Sequence, residues 1–138
     1  MLEIRKLKEF DITQGFLELV SQFRPTNLNV SQAKDIFNDY RPQIYGGLLN
    51  NRVVGIATLI LEHKFIHDGG IVGHIEDVIV YSEYRNQDIG SKLIKYVIAE
   101  AKRVGAYKVI LDCDLDVSKF YEKLGFVKYN IGMRLDLC

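Results

Sequence analysis

Cysteine, net charge and long apolar runs are all scarce in this chain of 138 residues, and each scarcity removes a class of protein. Only Cys113 and Cys138 carry thiols. Two cysteines, with no secretory apolar segment near Met1, read as reduced thiols rather than as a disulfide scaffold. No histidine stands at a spacing that would make either one a nucleophile. The 18 basic and 18 acidic side chains cancel, and the basic ones are scattered, so no positive stripe exists to follow a nucleic-acid backbone. No apolar run approaches the length of a membrane span. No repeat, low-complexity tract or linker divides the chain. What remains, 48% hydrophobic and 26% charged residues, is the balance of a globular chain with the length of one domain and one core. The expectation is a cytosolic protein that binds neither nucleic acid nor membrane.

Apolar periodicity then gives the elements. Leu2, Ile4 and Leu7 predict a first strand, and Phe10 to Phe23 carries helical spacing until Arg24-Pro25 interrupts it. Ser31 is placed to cap a second helix, Ala33 to Tyr40. Ile44 to Leu49 and Val53 to Glu62 read as strands joined at Asn50-Asn51, a pair tolerant of hairpin backbone. Ile71 to Tyr81 is a further strand, with Val78-Ile79-Val80 central and buried on both faces. Ile89 to Gly105 is an amphipathic helix, Tyr107 to Leu111 a strand, Val117 to Leu124 a helix, and Phe126 to Leu137 a final strand. The order predicts an α/β (α+β) fold with a mixed, mostly antiparallel sheet.

The most informative stretch is Arg85-Asn86-Gln87-Asp88-Ile89-Gly90-Ser91, which follows a strongly apolar strand and opens an amphipathic helix. First-turn amides lack intrahelical partners and carry the positive end of the helix dipole, so a loop of this kind holds phosphate. Downstream, Phe120-Tyr121-Glu122-Lys123-Leu124-Gly125-Phe126 puts a phenol on a helix ended by glycine.

Together these two segments resemble the acetyl-CoA site of the GNAT superfamily of N-acetyltransferases. Four separated blocks narrow the resemblance: Glu62 to His67, Gly73 to Val78, Tyr107 to Cys113 and Phe120 to Lys123 are similar to the glucosamine-6-phosphate N-acetyltransferase family. The resemblance implies a GNAT fold that uses acetyl-CoA and no metal. It places Val78, Ile79 and Val80 along the pantetheine arm and Arg85 to Ser91 at the pyrophosphate. Thr26, Lys64, Phe65, Ile66, His67, Glu76, Asp77, Tyr107 and Lys108 would surround an amino sugar phosphate, with Asp112 and Tyr121 near the reacting thioester. It also implies a homodimer whose last strand reaches the partner's site. Asp88 stands where the superfamily has glycine, Asp114 and Val117 where relatives have asparagine, and Asp136 where relatives have a basic phosphate ligand. Arg134, two positions earlier and on the same face of a strand, is the candidate replacement.

Acetyl transfer to an amine needs a neutral nucleophile, a stabilised oxyanion and help for a thiolate. Glu76 or Asp77, acting through water, or carbonyls at a bulge would take the proton. Amides from Asp77 to Val80 would polarise the carbonyl, and Tyr121 would serve the sulfur. Each assignment has a plainer rival. Tyr121 alone is a half-buried aromatic, Glu76-Asp77 an exposed acidic pair, and Lys64 and Lys108 solvated charges. Asp88 is equally an N-cap of its own helix. His63 and His67, four apart on a segment without helical periodicity, lack a third ligand for zinc. Phe16, Phe23 and Phe37 read as core. Two other functions stay open: a GNAT enzyme for another primary amine, and a catalytically idle acyl-CoA-binding domain.

Overall fold

Alternating apolar residues build five strands into one sheet in chain order, β1 (Glu3–Lys6), β2 (Gln43–Leu49), β3 (Arg52–His63), β4 (Ile71–Val80) and β5 (Ala106–Ile110). The computed structural model describes residues 1–138. The first four strands pair antiparallel and β5 joins β4 in parallel, as the expected mixed sheet requires. Asn50 and Asn51 take φ of 50° and 64°, the left-handed pair that a two-residue hairpin between β2 and β3 demands.

The two faces of the sheet are covered by different helices. Ile56 and Ile79 pack under α1 (Phe16–Phe23) with Leu19, while Ala57, Leu59 and Ile75 pack under α4 (Ile89–Arg103) with Ile94, Val97 and Ala101. The period of 3.6 puts those α4 residues on one stripe. Burial of each large aliphatic side chain contributes about 2 kcal/mol.

Several boundaries differ from the sequence reading. The stretch Phe10 to Phe23 is not one helix: a 3₁₀ turn (Glu9–Thr13) precedes α1, and Gly15 at φ 83° breaks the path between them. Asp11 fixes that turn by accepting two hydrogen bonds from the Arg5 guanidinium, at 2.7 and 2.9 Å, and one from Lys8 N–H at 2.7 Å. The second helix, α2 (Val30–Tyr40), is capped by Asn29 rather than Ser31. Gln32 N–H donates to Asn29 Oδ1 at 2.8 Å and Asn29 N–H to Gln32 Oε1 at 2.9 Å, a reciprocal capping box. A short helical segment, α3 (Ile66–Gly69), contains left-handed His67 and Asp68, and no periodicity marks it. The helix expected over Val117 to Leu124 is a 3₁₀ turn (Leu115–Val117) followed by α5 (Ser118–Glu122).

Two corrections concern the site. Val78-Ile79-Val80 is not buried on both faces: Ile79 is buried, its neighbours are half-buried, and no strand pairs with their outer edge. Phe126 to Leu137 forms no strand in the single chain. Its period-two alternation is real, yet Val127, Tyr129, Ile131, Met133, Leu135 and Leu137 are all exposed. A strand takes its hydrogen bonds from a neighbour, and one chain offers this segment none.

Candidate active site

The site is built on a defect in β4. Thr58 on β3 faces Glu76 and Ile56 faces Ile79, so Ala57 alone opposes both Asp77 and Val78. This is a β-bulge, and Asp77 adopts φ 49° within it, a left-handed backbone held only where the surroundings impose it. Pairing with β5 stops at His74 opposite Ile110. From Ile75 to Val80 one edge of β4 is therefore left with unpaired backbone groups, where an extended amide arm finds the partners of an added strand.

At the far end of that edge, the Arg85 Nε–H donates to the Val80 carbonyl at 3.3 Å and ties the following loop to the strand. None of the amides from Asn86 to Ser91 donates within the chain, and the first helical bond runs from Lys92 N–H to the Asp88 carbonyl at 3.0 Å. Asn86 and Asp88 hold φ of 70° and 59°. Left-handed residues in such a loop, beside a helix N-terminus, turn free N–H groups into an anion cradle. The Gln87 side chain is exposed, Ile89 is buried, and Gly90 leaves the first turn bare. Asp88 occupies the N-cap by position, but its carboxylate caps nothing. The capping alternative is thereby excluded, and the backbone shows why glycine suits this position.

Tyr121 on α5 stands edge-on to Phe120 and Phe126, with ring centroids at 5.0 and 5.8 Å. Burial, with a smaller effect of the nearby Cys113, holds its phenol pKa above the ordinary value. The hydroxyl has no hydrogen-bond partner on the chain and is not sealed from solvent. It is thus a free donor that stays protonated. Asp112 is exposed and adjoins Cys113, whose thiol pKa is raised by burial and by Asp114, Asp112, Asp116 and Glu122 in turn. Val117 is an exposed apolar residue just before α5.

The expected substrate residues gather in two groups. Thr26 and Asp77 line one cavity beneath α1 and α2, and Glu76 is exposed beside the bulge. The other group collects where β3 ends and β5 begins. Lys64 Nζ meets Glu62 Oε2 at 2.9 Å, and His74 Nε2 meets Glu62 Oε1 at 2.9 Å. The His67 ring stacks on Tyr107 with centroids 4.2 Å apart. Lys108 Nζ lies 5.8 Å from the Tyr107 ring and 5.4 Å from the Tyr129 ring. Phe65 and Ile66 point into solvent. His74 precedes Glu76 by two residues on one face of β4, about 7 Å, so of this group it is His74 that shares a strand face with the acidic pair.

Arg134 does lie on the same side as Asp136, since its Nε donates to Asp136 Oδ1 at 2.7 Å. No contact brings it to either group within the single chain.

Sequence reasoning missed Glu62 as the partner of Lys64 and His74 as the second partner of Glu62. Their proximity depends on the register that sets Ile60 opposite His74, and only the β3–β4 pairing reveals it. Hydrogen bonds from Lys64 and then His74 hold the Glu62 carboxyl below its usual range.

Comparison with known proteins agrees with this geometry. A family model described as acetyltransferase (GNAT) family matches residues 13–126. A glucosamine 6-phosphate N-acetyltransferase from Trypanosoma brucei brucei is 46% identical, over 99% of this chain and 96% of the relative. A probable glucosamine 6-phosphate N-acetyltransferase from Drosophila melanogaster is 36% identical, over 91% of this chain and 61% of that longer protein. The crystal structure of glucosamine-6-phosphate N-acetyltransferase from Arabidopsis thaliana superposes with a TM-score of 0.95 at 31% identity, covering 100% of this chain and 99% of that one. The chain belongs to the acetyltransferase (GNAT) family and, within it, to the glucosamine 6-phosphate N-acetyltransferases.

Proposed function

We propose that this chain transfers the acetyl group of acetyl-CoA to the amine of glucosamine 6-phosphate by direct attack within a ternary complex, and that it works as a cytosolic homodimer. The observation that carries the reading is the bulged strand β4. Its open edge leads to the free amides of Asn86 to Ser91, and its bulge carries Asp77 with Glu76 beside it. The amides bind a pyrophosphate, and the edge from Val78 to Val80 aligns the arm. Lys64, His67, Tyr107 and Lys108 receive the sugar phosphate. Glu76 and Asp77 draw the proton from the ammonium through water, while bulge amides face the developing oxyanion. Tyr121, with its raised pKa, donates a hydrogen bond to the thiolate rather than a whole proton, since the transfer is uphill even for an unperturbed phenol.

The homodimer is supported by the C-terminal segment, whose alternating apolar side chains are exposed in one chain and suit strand pairing with a second copy. Arg134 would then reach the partner's sugar phosphate. The balanced charge and two unpaired thiols support the cytosol.

Thiol release from acetyl-CoA, with and without glucosamine 6-phosphate, tests the reaction. Release that depends on the sugar, with the product heavier by one acetyl group, is expected. Cofactor binding without release would favour an idle acyl-CoA-binding domain, and release driven by a polyamine in preference to the sugar would favour a different acceptor.

A further inference from the structure

Glu62 is the next to last residue of β3, and Lys64 follows the strand directly. The Lys64 backbone N–H donates to the Gly70 carbonyl at 2.8 Å and closes the loop that carries His67. The Glu62 carboxylate is divided between two partners, since Oε2 accepts from the Lys64 ammonium and Oε1 meets Nε2 of His74 on β4, each at 2.9 Å. Strand pairing sets this up. Glu62 lies opposite Val72, so His74 is its diagonal neighbour on the same face of the sheet. All three side chains are partly exposed, at 31% for Lys64, 45% for Glu62 and 30% for His74. Ion pairs so exposed contribute little to folding, and stability does not account for a carboxylate shared in this way.

A lysine ends a flexible four-carbon stem, and its charge has no fixed position unless something holds it. Glu62 takes one of the three ammonium N–H groups through a single oxygen, so two stay free for a further acceptor. Resting on the reading that Lys64 receives the sugar phosphate, we infer that Glu62 is a positioning residue that aims Lys64 at the phosphate, while His74 fixes Glu62 from the neighbouring strand. Glu62 acts through Lys64, and so on acceptor binding rather than on the chemical step. Its charge also repels phosphate, but at an exposed site in salt that repulsion is screened, whereas the order it gives the lysine is not.

The test measures kcat and KM for glucosamine 6-phosphate in Glu62→Ala and Glu62→Gln at about 0.15 M salt, each alone and combined with Lys64→Met. Glu62→Ala should raise that KM about fivefold, less than Lys64→Met itself does, with kcat and the KM for acetyl-CoA unchanged. Glu62→Gln keeps an oxygen for Lys64 and an N–H for His74, so its KM should stay within about twofold of the wild type. In the Lys64→Met background Glu62→Ala should have no further effect, a coupling that a merely structural role would not produce. With Lys64→Met impaired, an unchanged KM in Glu62→Ala overturns this inference alone. So does a lower KM in both Glu62 variants, which would make the carboxylate a competitor of phosphate, or an equal rise with and without Lys64. A KM left unchanged by Lys64→Met overturns the phosphate reading of Lys64 as well. Glu62→Thr, a substitution suited to a strand, makes the same comparison should Glu62→Ala fail to fold.

Discussion

Tyr121 is held by packing rather than by hydrogen bonding, since two aromatic rings meet its edges and nothing on the chain meets its hydroxyl. Tyr121→Phe therefore keeps the ring contacts and removes only the donor. The variant should retain its melting temperature while kcat falls roughly 10²-fold. An unchanged kcat in a chemistry-limited assay would remove Tyr121 from the reaction. Because the phenol pKa lies above its ordinary value, the donor form persists beyond about pH 10, and no loss from this group is expected below that. Asp88 presents the opposite case, a side chain without a structural task. It bears a left-handed backbone and an unpaired carboxylate beside six free amides. Asp88→Gly should tighten acetyl-CoA about fivefold at low salt, with a smaller gain at high salt, as calorimetry can measure. Unchanged affinity at both salt levels would mean that the carboxylate points away from the pyrophosphate.

The elements nearest the N-terminus depend on one buried carboxylate. Asp11 joins β1 to the following 3₁₀ turn through Arg5, and the Arg5 hydrogen bond is the main cause of its lowered pKa. A carboxyl whose folded pKa is lowered stabilises the fold above its unfolded pKa of about 3.9, and that stability is lost as pH falls through the folded value. Asp11→Ala should cost about 2 kcal/mol in urea unfolding at pH 7, and the difference from the wild type should shrink below about pH 4. The C-terminal segment makes the second prediction for an element. If its alternating face pairs with a second copy, Ile131→Asp should convert a dimer in sedimentation to a monomer, and a wild-type monomer at micromolar concentration would refute the exchange. Both segments show what periodicity conveys. It marked β1 and the C-terminal strand pattern from their side chains alone. It could not show that Gly15 divides the first helix or that the last apolar alternation lacks a partner in its own chain, because one is a matter of backbone angle and the other of pairing between distant segments.

Across the whole chain, the parts of the site that are local in sequence were legible and the parts made by pairing were not. Arg85 to Ser91 reads as an anion loop because strand, loop and helix follow one another without a gap, and the free amides agree. The Glu76-Asp77 pair was visible, whereas the bulge that gives Asp77 its left-handed backbone follows from a register shift against β3. Lys64, His67, Tyr107 and Lys108 were joined only by family resemblance, and the sheet supplies the physical reason, since β5 runs beside the start of β4. Those four residues are the proposed holders of the acceptor's phosphate. The most direct measurement is the ratio of kcat/KM for glucosamine 6-phosphate over unphosphorylated glucosamine, in the wild type and in Lys64→Met and Lys108→Met. Two charge-assisted contacts predict a wild-type ratio of at least about a hundredfold, falling by about tenfold or more in each variant while the KM for acetyl-CoA is unchanged. Equal kcat/KM for the two sugars in the wild type would contradict the account.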